Sequence, residues 1–163
     1  YGLYYIGRYG LYAKIANLNR DACVQPIYVG KAVPPGWRTA RVKDSETPDL
    51  CQRLQEHVRS IQQGADVRSD DFRCRFMILS GAESDLVVPV EAELIRRYRP
   101  LWNTVVDGFG NHDPGAGRYN QARSEWDVLH PGRLWAERLT GESPRREDVI
   151  AKIRRLLKES PLP

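Results

Sequence analysis

Four groups of side chains in this chain have types and spacings suited to chemistry. They are the tyrosine-dense opening YGLYYIGRYGLY at residues 1–12, the stretch PIYVGK that ends at Lys31, an arginine and a histidine four apart at Arg53 and His57, and two glutamates at Glu91 and Glu93. A phenol with a pKa of about 10 is a poor base at neutral pH and needs a neighbouring cation to favour its phenolate. Arginine, always charged and forked, suits bidentate contact with an oxyanion. A carboxylate is a hard oxygen ligand for a divalent cation. The three cysteines, Cys23, Cys51 and Cys74, have no CxxC or Cys/His spacing. That argues against a zinc site or a disulfide framework and points to a reducing compartment. Alternating aromatic and aliphatic residues are also what a half-buried strand looks like, so the opening tyrosines need a positional argument before any of them is given a role.

The elements that must position these groups follow from periodicity. Residues 1–6 and 26–30 read as short strands, joined by a loop with a turn-prone stretch from Asn17 to Asp21. Residues 33–49 form a long polar loop with Pro, Gly, Arg and Lys, a kind of segment that is usually functional or mobile. From Asp49, which can cap the first turn, Leu50, Leu54, Val58 and Ile61 lie on one helical stripe. Arg53 and His57 share an adjacent face. The stretch FRCRFMIL at 72–79 alternates as a third strand, and PVEAELIRRY at 89–98 reads as a helix begun by proline and stopped at Arg99-Pro100. Beyond Asn103 come a Gly-rich stretch at 108–118, a Trp/His/Arg segment around a Pro-Gly turn at 124–139, and a terminal helix. Ser143 is expected as the cap of that helix, Pro144 as its first residue, and Val149, Ile153, Leu156 and Leu157 as its apolar stripe. Its other face is basic, as a solvated surface would be. His112 and His130 read as local turn caps. The 163 residues suffice for one compact domain with an appendage, and the net charge of +4 mildly favours a polyanionic partner. No apolar run approaches a membrane span, and nothing reads as a signal peptide. The chain starts in a strand-like pattern without Met, so an upstream segment is expected.

A tyrosine strand, the strand PIYVGK, a helix with Arg and His four apart, a third strand, and a helix with Glu ahead of LIRRYRPLWN occur in that order over residues 1–103. The set resembles the GIY-YIG nuclease superfamily, and SEWDVLHPGRLWAERL with the long loops resembles its type II restriction endonuclease branch. If Tyr5-Ile6-Gly7 were the second motif, Tyr1 and Tyr5 would share one continuous strand with no room for a turn. The second motif is therefore Tyr28-Val29-Gly30. The first tyrosine is Tyr1, preferred because YGLYY reads as strand up to Gly7, with Tyr12 as the alternative.

The resemblance implies an α/β (α+β) fold, with a small antiparallel three-stranded sheet flanked by helices. It implies a nuclease core over 1–103 with an inserted loop at 31–49, and a C-terminal helical extension over 104–163 that carries DNA-contacting loops and packs on the core. It implies hydrolysis of phosphodiester bonds at a palindromic site in double-stranded DNA. Tyr1 is then the general base, with Lys31 and His57 as its cationic surroundings. Tyr28 positions phosphate or water, and Arg53 grips the scissile phosphate. Glu91 holds one Mg²⁺ per active site, and Asn103 ties the metal-bearing helix to the hairpin. Glu91 is chosen over Glu93 because the family places its Glu three residues before Leu-Ile. The two lie about 200° apart on a helix, so only one faces the site. Base and backbone contacts are expected from Trp37, Arg38, Arg41 and Lys43 and from Arg118, Arg123 and Arg133. Cutting both strands of a palindrome by a small subunit implies a homodimer. No membrane and no small-molecule organic cofactor is expected, and the setting is the bacterial cytoplasm. A structure-specific or homing nuclease and a catalytically inert DNA-binding module are the other classes the pattern allows.

Overall fold

The computed structural model describes residues 1–34 and 49–159. Among them, three strands form one antiparallel sheet in the order β2-β1-β3, with β1 at Gly2–Tyr5, β2 at Tyr28–Val29 and β3 at Phe72–Arg75. The register sets Leu3 opposite both Tyr28 and Cys74. Backbone pairing continues past the strand end, where Tyr1 N donates to Gly30 O at 2.9 Å and Gly30 N to Tyr1 O at 3.0 Å. Side chains alternate along a strand, so the Leu3–Tyr28 pairing puts Tyr1 and Tyr28 on one face of the sheet.

Six α-helices surround it among the described residues: α1 Ala13–Asn19, α2 Asp49–Gln63, α3 Val87–Tyr98, α4 Leu101–Thr104, α5 Glu125–Leu129 and α6 Arg146–Glu159. The expected loop between the first two strands instead holds a 3-10 turn at Gly10–Tyr12 that runs into α1. Tyr12, Ile15 and Ala16 supply its buried face. Asn19 anchors its end, donating to Tyr5 O and Gln25 O and accepting from Val24 N and Gln25 N. The third strand ends at Arg75, four residues earlier than expected, and Phe76, Met77 and Ile78 are exposed.

Helix α3 begins two residues before Pro89, a position proline tolerates because the first-turn N–H groups have no intrahelical partner. It stops where Arg99 turns left-handed, with φ 43°. Helix α6 begins at Arg146 rather than at Pro144. Ser143 Oγ is used elsewhere, accepting from Arg123 N and donating to Gly141 O.

One core joins the sheet to the C-terminal segment. Leu3, Tyr5, Tyr12 and Ile61 pack in the same cluster as Trp102, Phe109, Trp126, Leu129, Val149 and Ile153. Full burial of a large apolar side chain is worth about 1.5–3 kcal/mol, so the last fifty residues stabilise the sheet directly. On α2 the buried residues are His57 and Ile61 rather than the whole leucine stripe. Leu50, Leu54 and Val58 line an open apolar groove of about 870 Å³ together with Phe76–Leu79 and the Val87, Val90 and Leu94 side of α3. No helix of the described residues is long and apolar enough to cross a membrane.

Candidate active site

Strand β1 places Tyr1 at its start, and the glycine opposite makes room for it. A Cβ on Gly30 would lie 2.6 Å from the Tyr1 hydroxyl and 2.9 Å from Tyr28 Cε1, so residue 30 must be glycine for both phenols to sit as they do. The Tyr1 hydroxyl is hydrogen-bonded to His57 Nε2 at 2.6 Å. The Tyr28 ring lies 6.3 Å from that of Tyr1 and 5.2 Å from the imidazole. His57 is 2 % exposed, and Phe109 stacks on it at 4.6 Å with the planes 14° apart. Burial, then the positive charges of Arg53 and Arg133, push the His57 pKa down to about 3. It is therefore neutral at physiological pH. Burial, reinforced by Tyr28, pushes the Tyr1 phenol well up, while Arg53 pulls it the other way. The cation that favours a Tyr1 phenolate is thus Arg53, where the sequence pointed to His57 and Lys31. Burial also raises the Tyr28 phenol, again against Arg53.

One turn before His57 on α2, Arg53 faces the same phenols. Its Nη1 donates to Glu56 Oε2 at 2.7 Å and to His112 Nε2 at 2.7 Å, and its Nη2 to Gly110 O at 3.3 Å. Across the cleft, Lys31 donates to the Glu91 carboxylate. Tyr28, Lys31, Arg53, Glu56, Glu91 and His112 line one cleft of about 420 Å³. Asn103 closes the back of the arrangement. Its Oδ1 accepts from Val29 N and its Nδ2 donates to Val29 O, both at 2.8 Å. The side-chain amide thus pairs with the free edge of β2 as a strand would, and fixes the segment after α3 to the Tyr28 hairpin.

A family model for the Eco29kI GIY-YIG domain matches residues 1–157. The chain belongs to the Eco29kI GIY-YIG family. This is a GIY-YIG endonuclease family of restriction enzymes, and its activity is the hydrolysis of DNA. A search of curated proteins returns no match.

Within this GIY-YIG fold the two tyrosine candidates separate. Tyr12 is fully buried, its hydroxyl 2.7 Å from His130 Nε2 and accepting from Trp102 Nε1 at 3.1 Å. It belongs to the core and does not line the cleft that Tyr28, Arg53 and Glu91 share. Glu93 points away from the site and pairs with Arg96 at 2.8 Å on the surface.

Arg133, expected to read DNA, is 1 % exposed. It donates to Gly108 O at 3.0 Å, Phe109 O at 2.5 Å and Asp127 Oδ1 at 3.3 Å, and lies 4.1 Å over the Trp126 ring. With its fork spent on the interior it holds the loop that carries Phe109, so it packs the core and is not free to contact a base. Arg118 is exposed and Arg123 half-buried, so their side chains have access to a ligand. Trp37, Arg38, Arg41 and Lys43 lie outside the described residues.

Sequence reasoning missed the wall formed by Phe109, Gly110 and His112, and the carboxylate of Glu56. The Gly-rich texture of GFGNHD was the available signal. Gly110 is where the loop backbone approaches Arg53 and Tyr28, and a Cβ there would lie 3.2 Å from each.

Proposed function

We propose that this chain is a Mg²⁺-dependent type II restriction endonuclease that cuts a palindromic site in double-stranded DNA as a homodimer, each subunit hydrolysing one strand. The single observation that supports the chemistry is the convergence on one cleft of Tyr28, the Arg53 guanidinium and the Lys31–Glu91 pair, with the Tyr1–His57 hydrogen bond packed behind Tyr28.

The scissile phosphate meets Arg53, whose fork suits two phosphoryl oxygens. Tyr28 orients phosphate or water from the neighbouring strand. Tyr1, as the phenolate that Arg53 favours, takes the proton of the attacking water and becomes the phenol, while His57 Nε2, neutral through burial, holds its oxygen in place. The bond from water oxygen to phosphorus forms as the bond to the 3′ oxygen breaks, in line.

Glu91 fits a Mg²⁺ ligand. It is a half-buried carboxylate on the cleft that already holds a cation, the Lys31 ammonium. Among the described residues no cluster of three or more His, Cys, Asp or Glu side chains gathers. Such a site suits an ion that keeps several waters and takes one or two carboxylates. Bound there, Mg²⁺ supplies charge for the phosphoryl oxygens and the leaving oxygen. Asn103 holds Glu91's helix and the Tyr28 hairpin in register. Base reading falls to the segment from Trp37 to Lys43 and to Arg118 and Arg123, since arginine to guanine in the major groove is the commonest specific contact.

Digestion of a sequenced genome-sized DNA with Mg²⁺, with the fragment ends read out, tests this function. One palindrome at every end is the expected result. Cutting of branched substrates alone makes the chain a structure-specific nuclease, and metal-independent binding without nicking makes it an inert DNA-binding module.

A further inference from the structure

The loop between α4 and α5 puts a residue into the cleft that the chemistry above does not use. His112 Nε2 lies 2.7 Å from Arg53 Nη1 and 3.8 Å from Glu56 Oε2. Its side chain is 61 % exposed, and it lines the cleft with Tyr28, Lys31, Arg53 and Glu91. An exposed histidine is ordinarily a solvated surface group, but this one is fixed on both sides. Upstream, the buried Arg133 fork holds the Gly108 and Phe109 carbonyls. Downstream, the Asp113 carboxylate accepts from Gly115 N at 2.9 Å, Tyr119 Oη at 3.0 Å and Arg138 Nη2 at 2.7 Å. The backbone on either side of residue 112 is therefore anchored, and the ring is presented to the guanidinium in a preorganised place.

Arg53 Nη1 is shared between His112 and the Glu56 carboxylate. Glu56 thus stands on the guanidinium where an anionic oxygen of a substrate would bind. We propose that His112 is a further substrate-contacting residue of this active site, taking an oxygen of the scissile phosphate together with Arg53 as Glu56 gives way. The proposal rests on the nuclease reading of the cleft.

In the free protein the Arg53 N–H donates to Nε2, so the neutral imidazole accepts there and carries its own N–H on the other ring nitrogen. A phosphodiester oxygen has no proton to give, so the ring that binds it donates an N–H while Arg53 turns from Glu56 and His112 to the same phosphate.

The test is the Kd for a cognate duplex in Ca²⁺ without Mg²⁺ for wild type, His112→Ala and His112→Gln, with cleavage of the same duplex by wild type in Mg²⁺ as reference. His112→Ala should bind about tenfold more weakly, the scale of one hydrogen bond to a charged group. His112→Gln, which keeps a neutral donor, should recover most of that loss. An Ala variant that binds as tightly as wild type, or a Gln variant no better than Ala, overturns the proposal. Wild-type protein that neither binds nor cuts the duplex overturns the nuclease reading instead.

Discussion

The Tyr1 hydroxyl lies where the absent Cβ of residue 30 would crowd it, and its hydrogen-bond partner is an imidazole held neutral by burial. Removing that hydroxyl alone should therefore cost more than its packing. Tyr1→Phe should slow single-turnover cleavage by at least the roughly 10²-fold typical of a positioned acid–base group, while Tyr12→Phe, which alters a hydroxyl bonded to His130 and Trp102 inside the core, should cut at near wild-type rate. The reverse pattern would move the base to Tyr12. Tyr1 precedes Gly2-Leu3 and Tyr12 follows Gly10-Leu11, so local sequence left both open. What separates them is the strand register, Tyr1 opposite Gly30, which only pairing reveals. The two buried histidines also set a pH dependence of stability. Their folded pKa of about 3 lies below the ordinary 6.5, so the unfolded chain binds more protons between these values. The stabilisation is complete above pH 6.5 and is lost as pH falls toward 3. With up to two protons taken up on unfolding, stability should fall steeply, by up to about 3 kcal/mol per pH unit, below pH 6. Urea denaturation from neutral pH downward measures the slope, and a stability that is flat across this range would contradict neutral burial of both rings.

Helices with strong periodicity were legible, and α2, α3 and α6 lie within a few residues of where the sequence puts them. The seven-residue α1 was not, because two turns between strands carry too little periodic signal and its end is fixed by Asn19 contacts to distant backbone. The inward face of α2 was misjudged for a related reason. A leucine stripe predicts the buried side, but His57 is drawn inward by Phe109 and Tyr1, and Leu50 and Val58 stay on the open groove. The segment after α4 shows the largest gap between sequence and structure. Arg133 reads as a surface cation, and its burial depends on Asp127, Trp126 and two carbonyls that no local pattern announces. Arg133→Ala leaves Asp127 buried without its cation, so it should destabilise the fold by about 3–5 kcal/mol. Chemical denaturation should show this, and a stability loss under 1 kcal/mol with changed sequence preference would return Arg133 to the DNA interface.

At the scale of the whole molecule, one core runs from the sheet into α5 and α6, and the loop those helices support forms a wall of the cleft. The nuclease motifs over residues 1–103 were readable in order, but the dependence of the site on the extension was not, because it passes through Phe109 and Arg133 rather than through any charged motif. One subunit presents one such cleft to one strand, so a palindrome requires two. The mass of the complex with a short cognate duplex should correspond to two chains per duplex, and a single chain that nicks one strand at every protein concentration would contradict the dimer. Whether the proposed hydrolysis runs through Glu91 is read from binding and cutting of the same duplex by Glu91→Gln, which keeps the side chain's shape and loses the charge a metal needs. Cleavage should disappear with specific binding nearly unchanged. Cleavage at the wild-type rate, or its loss in Glu93→Gln instead, would contradict the assignment.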